Sequence, residues 1–203
     1  MPKVGMEEIR RRQLIEATVA SLHADGFGNT TLARIAGRAG LSSGIVAHYF
    51  RDKAGLLEAT MRHLAEELRA EALRHLARAR GPEARLAAII DSNLAPSQYA
   101  PEVMTAWLAF WGQVPHVPRL RRIQRIYEER LLSNLRYNLK QLLPPAVAAE
   151  AAIGLASMID GLWLRAALSD GAFSSPRARA LARAYLATLL TRERAERATE
   201  GAA

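Results

Sequence analysis

The chain contains no cysteine. Disulfides and thiolate metal sites are therefore excluded, and a reducing compartment is the natural expectation. Long apolar runs are missing too. No stretch of 18 or more apolar residues occurs, because Glu150, Asp160 or Arg165 interrupts the best windows, so no membrane span is expected. The start, MPKVGMEEIRRRQ, has no apolar core of the kind a secretion signal carries. Sustained period-2 alternation with β-branched residues is absent, so no strand is expected. Catalytic and metal signatures are absent as well. His23, His48, His63, His75 and His116 form no paired ligand spacing, and the Glu71/His75 pair at i, i+4 reads as an exposed ion pair. No Gly-rich phosphate loop or nucleophile motif appears. These absences leave no expectation of an enzyme, a cofactor or a metal centre.

What is present is length, apolar content and basic charge. The 203 residues suit one large domain or two small ones, and 50% of them are apolar, enough for a sizeable core. Lys and Arg number 28 against 20 Asp and Glu, a net charge of +8. In residues 1–53, Lys3, Arg10, Arg11, Arg12, Arg34, Arg38, Arg51 and Lys53 outnumber Glu7, Glu8, Glu16, Asp25 and Asp52. Much of the remaining excess lies between Arg119 and Arg136 and in the C-terminal tail. A polyanionic partner and a solvated basic surface both fit this balance.

Helical signals run throughout, so the expected fold class is all-α with about nine helices. Ile15, Val19 and Leu22 make one stripe, stopped by Asp25-Gly26. Thr30 is a candidate N-cap for a short helix with Leu32, Ile35, Ala36 and Ala39 at helical spacing. Gly40 ends it, and Ser42 can cap the next, with Val46, Tyr49 and Phe50 apolar. Asp52 caps a longer helix whose inward residues are Leu56, Leu57, Met61, Leu64 and Leu68. Gly81-Pro82, Pro96, Pro101, Pro115, Pro118 and Pro144-Pro145 punctuate the rest. Helices are expected near 83–94, 102–114, 119–142, 146–169 and 175–194, followed by a polar tail.

The stretch TTLARIAGRAGLSSGIVAHYF, residues 30–50, carries the most specific pattern. Ala36 is small where two helices must cross closely. Gly40, four residues on, suits a turn needing positive φ. Val46 then points back between the helices. A small residue, a Gly and an apolar residue at these offsets describe a helix-turn-helix, here at about 31–50. The second helix turns Ser43, Gly44, Ala47 and His48 outward, with Ile45 at the edge. Such small side chains allow close approach to a major-groove floor.

Thr30-Thr31, Ile35-Ala36, Ala39-Gly40 and His48-Tyr49-Phe50-Arg51-Asp52-Lys53 leading into Leu56-Leu57 resemble the DNA-binding domain of the TetR family of repressors. PKVGMEEIRRRQLIEAT, GIVAHYFRDKAGLLEATMR, AWLAFW, RLLSNL and IDGLWLRAALS carry the likeness from Pro2 to Ser169. They are similar to the branch of that family that senses choline and controls glycine betaine synthesis under osmotic stress. The resemblance implies a cytoplasmic homodimer on a near-palindromic double-stranded operator. It implies a DNA-binding domain at 8–68, a ligand-sensing and dimerisation domain at 69–195, and a disordered tail at 196–203. Ser43, Gly44, Ile45 and Ala47 would face base edges, and Thr31, His48, Tyr49 and Lys53 would hold phosphates. Thr30 and Ser42 would complete the DNA-binding set, and Arg10, Arg11 and Arg12 would reach backbone or minor groove. No Arg, Asn or Gln occupies a base-facing position, so readout would lean on hydroxyls, thymine methyls and DNA shape.

The same resemblance places a small-molecule effector, choline, in the later helices. A quaternary ammonium has no N–H to donate, so it needs aromatic faces and a carboxylate for charge balance. Trp107, Phe110 and Trp111 share one helix face, and Tyr127 and Trp163 are further candidates. Asp160, Asp91 or Glu128 could supply the charge. Each aromatic also reads as ordinary core, and Asp160 equally as a capping or dimer residue. Gly154, Met158, Gly161 and Leu162 on one helix, and Leu181, Ala184, Tyr185, Thr188 and Leu189 on the last, form small-residue stripes suited to a four-helix dimer interface.

Overall fold

The structure is a computed structural model that describes residues 6–169 and 173–200. Among these residues it has nine α-helices, one short 3-10 turn and no strand. The helices are α1 (Met6–Asn29), α2 (Leu32–Arg38), α3 (Ser43–Phe50), α4 (Lys53–Arg78), α5 (Gly81–Asn93), α6 (Pro101–Gln113), α7 (Pro118–Leu139), α8 (Pro145–Ala167) and α9 (Ser175–Glu200). The 3-10 turn is Pro96–Tyr99. Prolines mark helix starts as their fixed φ requires: Pro82, Pro101 and Pro145 sit in first turns. α9 was expected to end near Arg194 but continues to Glu200. Of the expected tail, 201–203 lie outside the described residues.

The described chain divides into two compact units. The first holds the N-terminal helices through Glu67 together with Ala100–Arg125. Residues 100–125 thus pack with the N-terminal helices. Its core contains Leu14, Ala17, Ile35, Ala36, Val46, Phe50 and Leu56. α1 packs against α2 and, most extensively, against α6. The buried side of α1 is Leu14, Ala17, Thr18, Ser21 and Leu22, so it is rotated from the expected Ile15/Val19/Leu22 stripe. Two hydroxyls can be buried there because each has a partner. Thr18 Oγ1 donates to the Leu14 carbonyl at 2.7 Å, and Ser21 Oγ accepts from Arg38 Nε at 3.0 Å, so two hydroxyls sit inside without an unmade bond. Gly26, at φ 71°, kinks α1 where the stop was expected.

The second unit holds α4 from Leu68, α5, the 3-10 turn, α7 from Ile126, α8 and α9. α8 packs on α9, α5 packs on α9, and the 3-10 turn touches both α8 and α9. Trp163 Nε1 donates to the Gln98 carbonyl at 2.9 Å and Ser175 Oγ to the Leu94 carbonyl at 2.6 Å, pinning the turn between the two helices. α8 is long and apolar enough to cross a membrane by length and composition alone. Ala148, Ala152, Leu155, Ile159 and Trp163 on it are nevertheless buried inside the unit, the pattern of a core helix.

Candidate DNA-reading face and effector site

The helix-turn-helix forms as its residues dictate. Ala36 is 2% exposed and Val46 is fully buried, so α2 and α3 cross at the smallest side chain and lock with the apolar one. Gly40 takes φ 65° in the turn between them, a value that an L side chain resists. α3 exposes Ser42, Ser43, Gly44, Ala47 and His48, with Ile45 and Tyr49 half-buried at its edges. Ser42 occupies the N-cap position of α3 but its hydroxyl makes no capping bond. Of the expected base-facing set, Ser43, Gly44 and Ala47 are exposed and Ile45 is half-buried at the edge.

Two of the expected contacts need correction. Thr31, not Thr30, caps α2: its side chain accepts from Arg34 N at 3.3 Å. Thr30 is fully buried and its hydroxyl donates to the Gly26 carbonyl at 2.7 Å, closing the kink of α1. Thr30 therefore has no surface to offer DNA. Arg11 is also committed elsewhere: its guanidinium bonds the Tyr49 carbonyl at 2.8 Å and lies over the Phe50 ring. Arg10 bonds Gln13, and Arg12 pairs with Glu16 on the exposed side of α1. Lys53 opens α4 with its ammonium 5.1 Å from the centroid of the Phe27 ring. Asp52 caps α4 as expected, accepting from Gly55 N at 2.7 Å.

In the first unit, Trp107 and Phe110 on α6 are buried, at 5% and 0% exposure. Trp111 is half-buried and its Nε1 donates to Gln124 Oε1 at 3.2 Å. In the second unit, Trp163 is buried with its N–H bonded as described above. Asp91 does not stand as a free carboxylate, since Arg183 of α9 grips both its oxygens.

Asp160 differs from Asp91. It is half-buried, and among the described residues its carboxylate makes no hydrogen bond or ion pair. Desolvation, and then the negative charge of Glu128, push its pKa up to about 6. The same two carboxylates face Tyr127, whose phenol is raised by burial first and by Asp160 and Glu128 second. The Tyr127 hydroxyl donates to Asn93 Oδ1 at 2.9 Å, and Asn93 Nδ2 donates to the Ile89 carbonyl at 2.8 Å. In the second unit, Tyr127 is thus bonded to the buried Asn93 and feels the charges of Glu128 and Asp160. Sequence reasoning missed Asn93; a polar residue in the apolar pattern AAIIDSNLA was the available signal.

On α8 and α9, Gly161, Leu181, Ala184, Tyr185 and Thr188 are exposed, and Gly154 and Met158 half-buried. Leu162 departs from this set: it is turned inward at 9% exposure, since its place on the helix faces the core. Ile153, Leu164 and Leu168 extend the same exposed apolar surface. Gly154 admits Tyr185, whose hydroxyl would lie 3.1 Å from a Cβ there.

An exposed, small-residue recognition helix on a helix-turn-helix is the DNA-reading device of a transcriptional regulator. Residues 14–60 match the family described as bacterial regulatory proteins, tetR family, and residues 82–191 match the C-terminal domain of BetI-type transcriptional repressors. The HTH-type transcriptional regulator BetI of Burkholderia thailandensis is 53% identical over 191 residues, covering 94% of this chain and 98% of its own. That of Paraburkholderia phymatum is 50% identical over 196 residues, covering 96% and 100%. Among solved structures, a transcriptional regulator from Pseudomonas aeruginosa PAO1 aligns with a TM-score of 0.80 at 27% identity, covering 91% of each chain. A regulator from Saccharomonospora viridis, solved in complex with choline, shares the fold at a TM-score of 0.74 and 19% identity, covering 88% of this chain and 96% of its own. The chain belongs to the TetR family and, within it, to the BetI-type transcriptional repressors. It is a regulator that binds operator DNA, not an enzyme.

Proposed function

We propose that the protein is a cytoplasmic homodimeric repressor of the genes for choline conversion to glycine betaine, and probes for choline through its second unit. Choline, or a close quaternary ammonium, is the effector that changes its hold on a near-palindromic operator. The observation that carries this reading is Asp160: a half-buried carboxylate beside a second one, with no cation on it. Leaving such a charge desolvated costs stability unless something balances it in the working state. A permanently charged ammonium does so without needing a hydrogen-bond acceptor in return, and Tyr127 supplies the aromatic surface such a cation favours. Two facts about similar proteins support the choice of cation: the BetI name of relatives at about half identity, and the choline held by the Saccharomonospora viridis regulator.

On the DNA side, Ser43, Gly44, Ile45 and Ala47 are proposed to meet base edges, with Thr31, His48, Tyr49 and Lys53 on phosphates. The exposed Gly161, Leu181, Ala184, Tyr185 and Thr188 face is proposed to pair with its copy. The test is calorimetric titration with choline and with its neutral isostere, carbon replacing nitrogen. Choline should bind about five- to thirtyfold more tightly, in line with the ~1–2 kcal/mol of a partly desolvated cation–π and carboxylate site. Equal binding of the two would point instead to an apolar effector, and no binding of either to an unrelated signal.

A further inference from the structure

Arg11 occupies an unusual position for a basic residue on the DNA-binding side of a repressor. Its Nη1 donates to the Tyr49 carbonyl at 2.8 Å, across 38 positions of sequence, and its guanidinium carbon lies 4.5 Å above the Phe50 ring centroid. Phe50 is buried in the core of the first unit. The final carbonyls of a helix have no intrahelical partner and must find one elsewhere. At the end of α3 the Ala47 carbonyl is met by Arg51 N at 3.0 Å and the Phe50 carbonyl by Asp52 N at 2.7 Å. The Tyr49 carbonyl is met by Arg11. A guanidinium there also faces the negative end of the α3 dipole. Arg11 is thus a C-terminal cap supplied to the recognition helix by α1.

The other side of this joint has no slack either. Arg51 stands at φ 62°, ψ −53°, the centre of a three-residue γ-turn closed by the Asp52-to-Phe50 bond. Gly55 passes so close that a Cβ on it would lie 2.3 Å from the Phe50 carbonyl oxygen. With α4 clamped in this way, the tie to α1 decides how α3 is held on its remaining side. The stake is high because α3 reads DNA with short side chains. Ser43, Gly44 and Ala47 cannot stretch or re-aim to compensate for a displaced helix, as an Arg or Gln could.

We propose that Arg11 is a positioning residue for sequence-specific DNA recognition: it sets the placement of the recognition helix through the Tyr49 carbonyl and does not itself neutralise a phosphate. The two roles differ in what salt does. A phosphate contact lowers the salt dependence of all binding by about one unit when removed, whereas a positioning contact leaves that slope alone and costs specificity.

The experiment uses the full-length protein, a duplex selected by the wild-type protein from a random pool, and a scrambled duplex of equal length. Arg11→Ala should weaken binding to the selected duplex about tenfold or more, the loss expected of a charge-assisted hydrogen bond, while affinity for the scrambled duplex and both salt slopes stay as in wild type. Amide exchange in residues 47–51 should quicken, with the rest of the first unit unchanged. Arg11→Lys, which can still reach a carbonyl and lie on a ring, should restore part of the discrimination. A salt slope reduced by about one on both duplexes, or an unchanged ratio of selected to scrambled affinity, overturns the proposal. If Arg11→Ala does not fold, Arg11→Lys decides by the same two readouts.

Discussion

At the scale of single residues, Asp160 makes the sharpest claim. Its pKa is raised from an ordinary value near 3.8 to about 6 in the fold, by desolvation and then by Glu128. The folded protein therefore holds a proton that the unfolded chain has already released. The group is harmless to stability below about pH 3.8, and its cost grows as pH rises through 6. Asp160→Asn should stabilise the free protein at pH 8 by about 1–3 kcal/mol and leave it unchanged near pH 3.5, measured by urea denaturation. The same substitution should weaken choline binding at pH 8. In the wild type, choline affinity should fall as pH drops through 6, because a proton competes with the cation; a flat profile between pH 5 and 8 would remove Asp160 from the site. Lys53 bears on DNA instead. Lys53→Ala should weaken binding to every sequence and lower the salt slope by about one.

At the scale of elements, the joint between α3 and α4 is the most constrained piece of the chain. Gly55→Ala would place a methyl 2.3 Å from a backbone oxygen that also bonds Asp52, so neither can move without breaking the joint. The expected cost is about 1–3 kcal/mol, the usual range for overpacking, read by thermal denaturation and accompanied by reduced operator affinity. The glycine was visible in RDKAGLL but its reason was not, because the close approach arises from the γ-turn at Arg51, and no local propensity favours positive φ in arginine. The α2 and α3 helices, by contrast, were legible nearly residue by residue: Ala36, Gly40 and Val46 each do what their size and conformational range permit. α1 was legible as a helix and not as a face, since Thr18 and Ser21 are buried with their hydroxyls bonded.

At the scale of the whole molecule, the proposed dimer and the coupling of its two ligands are the claims to check. Tyr185 and Leu181 are large, exposed and adjacent on α9, with Ile153 and Leu164 exposed on α8. Leu181→Glu should convert a dimer of 22.3 kDa chains to monomers in light scattering, and operator binding should fall with it, since one short recognition helix holds DNA weakly. On the operator, half-site centres should lie roughly 34–36 Å apart, about one helical turn. Choline can release the operator only if it binds the DNA-free arrangement better, and the effect must then be mutual. Saturating operator should weaken choline binding by a factor equivalent to about 1–3 kcal/mol. Identical choline constants with and without operator would show that the protein takes its signal from elsewhere.

The pattern of apolar residues, prolines and glycines was enough to determine an all-helical chain with a helix-turn-helix near its start, because helix periodicity and turn chemistry are local. Which α3 residues are exposed was legible for the same reason: α3 is short, and its buried Val46 and Phe50 fix the face it turns inward. Which charges are held by distant segments was decided by the tertiary structure. Arg11 and Arg12 are neighbours of the same type, yet one caps a helix 38 residues away and the other pairs with Glu16 in its own helix. Asp91 and Asp160 are both acids on helices, yet Arg183 holds the first and nothing among the described residues holds the second. A pair at i, i+4 such as Arg12–Glu16 is legible in local spacing, but a partnership between segments far apart in the chain depends on distances that no local pattern encodes.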